Sequence, residues 1–283
     1  MRLDELKQVN AIVGLSKRIE GWPSTLLDLG YELERLELKL SLSVPTKPGV
    51  LAKVTPDLCF LAEKRNYSLL VELKSGTFQD FTQPDKLIRV TPLDLFRYGG
   101  VPILNLIGHK ISVAVIINEE FLGEYQSEFE RVSHKACLVS IGEFAIKSEH
   151  GNLVDDKANG KFKRGIDIPK RPPSRLIPIL PTTDDKPALF RSIADAVKLL
   201  WLNNEHSIGP LSISKEIFKQ IWGAIDNEAQ KQFLSFARQA LVEMSGAEFR
   251  PYMRPLPEGA RQETRRISVA SATRTGRAKI PDS

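Results

Sequence analysis

The stretch Ser68 to Leu73, SLLVEL, limits the architecture of this chain more than any other. It is short, almost wholly apolar and broken by a single glutamate. A run of this length and composition reads as a central strand buried on both faces. Ile111 to Ile117, ISVAVII, reads as a second one. Strands of this kind need cover on both sides, and helical patterns flank them. Leu3, Leu6, Val9, Ile12, Val13 and Ile19 predict an amphipathic helix before Gly21-Trp22-Pro23. Ser24 is placed to cap a second helix carrying Leu26, Leu29, Leu33 and Leu36 on one face. From Leu36 to Val44 the apolar period shifts to two, which predicts a half-buried strand. Val54 to Ala62 and Tyr67 to Leu73 predict a hairpin turning at Glu63-Lys64-Arg65-Asn66. A helix broken at Pro92 is expected over 82–98, a helix after Asn118 running to Arg131, and a strand over Ala136 to Ile141. The sum is an α/β fold with a mixed sheet.

Domain organisation is set by where this patterning fades. The α/β region is expected to span 1–150. Residues 151–187 are basic and then proline-rich, which suits an extended linker. Three helical patterns over 188–203, 212–225 and 228–244 predict a small, mainly helical module within 188–257. Residues 258–283 are rich in Ser, Thr, Ala and Arg with few large apolar residues, and are expected to be a disordered basic tail.

Forty Lys and Arg against 35 Asp and Glu give a net charge of +5. Lys157 to Arg175 alone holds seven basic residues and one acidic, and Glu258 to Ser283 six and three. Basic flexible segments suit a polyanion such as nucleic acid, although they also serve solubility alone. Two cysteines cannot build a disulfide framework, so a reducing, cytoplasmic setting is expected. No apolar run approaches the ~20 residues of a membrane span, and MRLDELKQVN lacks the apolar core of a secretory signal.

The chemistry is concentrated in TPDLCFLAEKRNYSLLVELKSG. Asp57 opens one predicted strand, and Glu72 and Lys74 close the next. Glu72 and Lys74 are two apart and project from the same face. Two carboxylates and a lysine at the end of a buried strand are costly to desolvate. A hard divalent cation relieves that cost, and Mg²⁺ needs only one or two protein carboxylates because it keeps several waters. The bland alternative is a Glu–Lys pair at an exposed strand end, with Asp57 in a turn after proline.

Pro56-Asp57, fourteen intervening residues and then Glu72-Leu73-Lys74 resemble the motif of the PD-(D/E)xK nuclease superfamily, the restriction-endonuclease-like fold. The predicted order helix–strand–strand–strand–helix–strand over about residues 20–120 is similar as well. The resemblance implies a restriction-endonuclease-like core in which Asp57 and Glu72 bind Mg²⁺ or Mn²⁺, with the Leu73 carbonyl as a further ligand. Lys74 would orient or deprotonate the attacking water, or stabilise charge on the phosphate. Members often add an acid from the first core helix, and Glu32 is the candidate for that role. Gln83 and Lys86, with Arg89 on the same helical side, would contact phosphates of the scissile strand. A solvated charged face explains those three equally well. His134 and Cys137 lack a second pair for zinc, and Cys59 reads as a small core residue.

The C-terminal helices allow two readings. A winged-helix DNA-binding module is one. The third helix, however, sets Lys231 and Arg238 against Glu228 and Glu243, and that balance favours a packing module or one that binds a protein partner. The expected function is therefore metal-dependent endonucleolytic hydrolysis of nucleic acid, DNA before RNA. By family analogy it belongs in a bacterial restriction, defence or mobile-element system. The alternative is a non-catalytic protein on the same scaffold that binds nucleic acid or a partner.

Overall fold

Coverage of the apolar strands dictates the pairing. The computed structural model describes residues 3–43, 52–170, 176, 185–205, 207–225, 227–246, 253–255 and 267–269. Helix α1 (Leu3–Gly14) and the single turn α2 (Thr25–Asp28) lead into β1 (Glu32–Leu36). Two short strands, β2 (Leu40–Ser41) and β3 (Lys53–Val54), pair with each other. The hairpin comes next as β4 (Leu58–Ala62) and β5 (Tyr67–Lys74), closed by a 3₁₀ turn that ends on Asn66 in the left-handed region. Then come α3 (Thr82–Leu87), α4 (Pro92–Arg97), β6 (Lys110–Asn118), α5 (Leu122–Val132), β7 (Cys137–Ile141) and β8 (Ala145–His150). Helix α6 (Asp156–Arg164) and β9 (Ile166–Asp167) complete the sheet region.

The main sheet runs β1-β4-β5-β6-β7-β8-β9. Its first three strands are antiparallel, β5, β6 and β7 are parallel, and the last two pairings are antiparallel again. The fold is thus α/β with a mixed sheet, as its buried runs require. On β5, Leu70, Glu72 and Lys74 share one face by the period of two. Leu70 joins a core with Leu87 of α3, Leu95 of α4, Val115 and Ile117 of β6, and Tyr125 and Phe129 of α5. Both cysteines, Cys59 on β4 and Cys137 on β7, are free and buried.

The structure differs from the sequence-based expectation in several places: α1 stops at Gly14, past Leu36 only Leu40–Ser41 of the strand expected over 36–44 is a strand among the described residues, and β4 begins at Leu58 rather than Val54. The helix expected through Leu36 stops at Asp28. Gly30 takes a φ of 77°, which ends the turn, and Leu33 and Leu36 are then buried against β4 as strand residues. The linker expected from residue 151 is in its first part a folded element. Ala158 and Phe162 of α6 are buried, as are Leu153, Ile166 and Ile168. Polar Gly/Asp/Asn/Lys composition concealed a helix that buries only one narrow face. In the stretch expected from residue 258 as a disordered tail, Ile267–Val269 form a strand, and the rest lies outside the described residues.

By internal contacts the chain divides into one unit of residues 1–180 with 223–227, and a second of 181–222 with 228–283. The second holds α7 (Lys186–Leu202), β10 (Ser207–Ile208), α8 (Pro210–Phe218), α9 (Asn227–Gly246), β11 (Met253–Pro255) and β12 (Ile267–Val269). Its strands form a three-stranded antiparallel sheet in the order β10-β12-β11. Phe218 packs edge-on to Phe233 and stacks on Trp222. Most of the proline-rich stretch and residues 270–283 lie outside the described residues. No described helix is long and apolar enough to cross a membrane.

Candidate active site

Asp57 is clamped by its backbone before its side chain does anything. Its N–H donates to the Val71 carbonyl at 2.9 Å, and its own carbonyl accepts from the Glu37 N–H at 2.8 Å. The chain enters β4 here, immediately after Pro56, so the side chain is delivered to the end of β5. There Asp57 Oδ2 accepts a 2.6 Å hydrogen bond from the Leu73 N–H.

Glu72 sits in β5 with only 6% of its surface exposed. Its Oε1 pairs with Lys74 Nζ at 2.8 Å, while its Oε2 is buried with no hydrogen-bond partner among the described residues. An unpaired buried carboxylate oxygen is expensive, and evolution seldom leaves one without a use. Burial raises the Glu72 pKa, opposed by Lys74. Burial and then the Glu72 charge push Asp57 up to about 8, with the Leu73 N–H pulling the other way. Burial thus disfavours the ionised form of both acids, and the Glu72 charge further disfavours that of Asp57.

Asp57, Glu72, Leu73 and Lys74 are thus brought together as the spacing predicts. The Leu73 side chain points to the opposite face from Glu72 and Lys74, so its backbone is the part of it at this site. Glu32 does not belong here. It lies exposed at the start of β1, paired with Leu61, whereas β1 approaches Asp57 only past Leu36. The acid found there is Glu37. It departs from the strand with a φ of 52°, and its charge also raises the Asp57 pKa. Sequence reasoning misses Glu37 because it puts Leu33 and Leu36 on a helix and gives the strand expected from Leu36 no partner, so nothing links Glu37 to β4. A strand pairing onto β4 in register would have pointed to it.

Gln83 and Lys86 lie on α3, which packs against β5 and β6; both are half-buried, and no hydrogen bond joins them to the acids. Burial, then the Glu124 charge and then that of Glu72, push the Tyr125 phenol of α5 up to about 12; its hydroxyl donates to the Thr77 carbonyl at 3.5 Å. Gln8 of α1 is also missed from sequence. Its Nε2 donates to the Lys74 carbonyl at 3.0 Å and to Asn118 Oδ1 at 2.9 Å, tying the ends of β5 and β6 to the first helix. Gln8 further lines a cavity of about 230 Å³ with Lys7, Trp22 and Asn118, to which Asp57 and Glu72 do not contribute.

The donor set fits a hard divalent cation. Two carboxylates, one with an orphaned buried oxygen, accompany a backbone that can offer a carbonyl. Among the described residues no three His, Cys, Asp or Glu side chains group as a self-sufficient metal cage. Mg²⁺ requires none, because waters complete its shell.

Residues 4–94 match the family described as the MJECL32 domain, a span that contains Asp57, Glu72 and Lys74 and stops before β6. No curated protein and no solved structure matches the chain.

Proposed function

We propose that the chain is a Mg²⁺- or Mn²⁺-dependent nuclease that hydrolyses phosphodiester bonds of nucleic acid, with duplex DNA as the first substrate to test. The observation that carries this reading is the juxtaposition of Asp57, Glu72 and Lys74, with Glu72 Oε2 buried and unpartnered. Taken over the main sheet alone, with the separate β2–β3 pair set aside, the order α2, β1, β4, β5, α3–α4, β6 supports the likeness to PD-(D/E)xK nucleases.

Asp57 and Glu72 would hold the cation, which supplies charge neutralisation at phosphorus and a more acidic water. Asp57 is held to one orientation by the Leu73 N–H, so little reorganisation is needed on loading. Lys74 is kept beside Glu72 by the ion pair, with its ammonium at the site and half-exposed. There it can hydrogen-bond the attacking water or a non-bridging phosphate oxygen. Gln8, by gripping the Lys74 carbonyl, fixes the end of the strand from which this lysine projects.

The test incubates purified protein with plasmid, linear duplex and single-stranded substrates in Mg²⁺, Mn²⁺ or EDTA, alongside Asp57→Ala and Lys74→Ala. Cleavage that needs metal and both side chains is expected. Undiminished cutting in EDTA would sink the metal mechanism. Inactivity on every substrate would favour a non-catalytic scaffold that binds nucleic acid or a protein.

A further inference from the structure

The order of elements in the second unit carries an inference independent of the cleavage site. It reads helix, strand, helix, helix, strand, strand: α7, β10, α8, α9, β11 and β12. The last strand lies in the middle of the sheet, where Ser268 pairs with both Ser207 of β10 and Arg254 of β11. This is the connectivity of a winged helix. In that arrangement the third helix is the one presented to the major groove, and the connection between the last two strands is the wing. Here the third helix is α9, and β11 and β12 are the last two strands.

Topology alone does not assign a function, so the surface of α9 must carry the argument. Ala229, Phe233, Ala237, Ala240, Leu241 and Met244 are buried and lock one side of the helix into the module. Lys231, Gln232, Ser235, Arg238 and Gln239 are exposed and share the other side. This stripe contains two cations and no acid. Glu228 in the first turn and Glu243 in the last are exposed on this same side and bound the stripe at its two ends, so the cations lie in the middle of the face. Glu243 accepts a 3.0 Å hydrogen bond from Gln239 Nε2, which preorders that side chain. Arg, Lys, Gln and Ser are the side chains whose donors and acceptors match base edges in the major groove.

The charge is also divided along the module. Residues 181–226 hold five Lys and Arg against six Asp and Glu, whereas residues 227–283 hold ten against six. Positive charge thus accompanies α9 and the sequence C-terminal to it, and a duplex polyanion complements it.

We infer that α7, β10, α8, α9, β11 and β12 of the second unit form a winged-helix module that binds duplex DNA through the exposed stripe Lys231–Gln239 of α9. Lys231 and Arg238 engage phosphates or guanine edges, and Gln232 and Ser235 read neighbouring bases. On this reading the chain brings its own DNA reader to the nuclease-like unit.

The experiment measures fluorescence anisotropy of a labelled random-sequence 30-base-pair duplex against the full chain in EDTA, across a salt series. The background is Asp57→Asn, so binding is scored whether or not the chain cuts. Lys231→Ala with Arg238→Ala should weaken binding about tenfold or more and lower the salt slope by roughly two counterions. Gln232→Ala should leave the slope unchanged while altering which duplexes are enriched from a random pool. All three residues are exposed, and circular dichroism should confirm an unchanged fold. Wild-type affinity and slope in the double variant would overturn the proposal. So would loss of binding to a purified protein partner on the same substitutions with DNA binding intact, because the stripe would then be a protein-docking face.

Discussion

The Leu73 N–H donates to Asp57 Oδ2 at 2.6 Å, so the acid that opens β4 is held by the residue between Glu72 and Lys74. That bond makes the chemistry of the site and its stability separable, because asparagine can keep the acceptor while removing the charge.

Asp57→Asn should stabilise the metal-free protein at pH 8 by roughly 1–3 kcal/mol, and change it little at pH 4. The Asp57 pKa is raised from 3.8 to about 8 in the fold, mainly by burial and Glu72. A folded state that binds the extra proton loses stability as pH rises through that window, and the neutral variant does not. Asp57→Ala should gain less, since it orphans the Leu73 N–H at about 1–3 kcal/mol. Urea unfolding in EDTA at pH 4, 6 and 8 distinguishes them. Parallel pH profiles for wild type and Asp57→Asn would contradict the electrostatic picture.

Divalent cation should stabilise wild type and leave the acid-site variants unmoved. A cation present at a hundredfold over its Kd adds about 2.7 kcal/mol. Thermal unfolding with and without Mg²⁺ measures this in wild type, Asp57→Asn and Glu72→Gln. An equal rise in all three would place the cation elsewhere.

Gln8→Ala should cost about 1–3 kcal/mol, because the Lys74 carbonyl and Asn118 Oδ1 both lose a buried donor. If the nuclease reading holds, kcat should also fall while KM changes little, since Gln8 sets the strand end rather than touching substrate. Unfolding and steady-state kinetics of one variant report both effects.

Asp155→Ala should cost about 3–5 kcal/mol, far more than a linker residue can. Asp155 is 1% exposed and caps α6 by accepting from the Lys157 N–H at 3.1 Å. Its carboxylate also accepts from Arg65 at 2.6 Å and from the Tyr31 hydroxyl at 3.0 Å. A chain cut at residue 150 should fail to fold for the same reason. Denaturation of the variant and proton NMR of the truncation decide this.

These networks mark the boundary of what was legible in the sequence. The strands around Glu72 and Lys74 were readable because an apolar run of that length has few other fates. The hairpin was readable because Glu63 to Asn66 separates two apolar runs, although its register was not. What sequence could not supply were pairings between distant residues. Leu33 and Leu36 have helical spacing to Leu26 and Leu29, yet burial against Leu58 and Phe60 prevails over that local period. Glu37 was hidden by the same misassignment, and Gln8 by its distance of 66 positions from the carbonyl it binds. Residues 151–164 carry too few apolar side chains to signal a helix, and β12 is too short to stand out in a polar tail.

The two cysteines give the sheet a pair of built-in timers. Cys59 and Cys137 stand on β4 and β7, on either side of the β5–β6 pair, and burial pushes their thiols up to about 12 and about 11. Neither thiolate forms at neutral pH, and neither sulfur is reachable while its strand is covered. A thiol-directed label is therefore silent toward the folded chain. Each modification instead records an opening event: Cys59 for the β1–β4–β5 end of the sheet, Cys137 for the end closed by β8 and α6. Comparing the two rates would show which end lets go first, with no residue substituted.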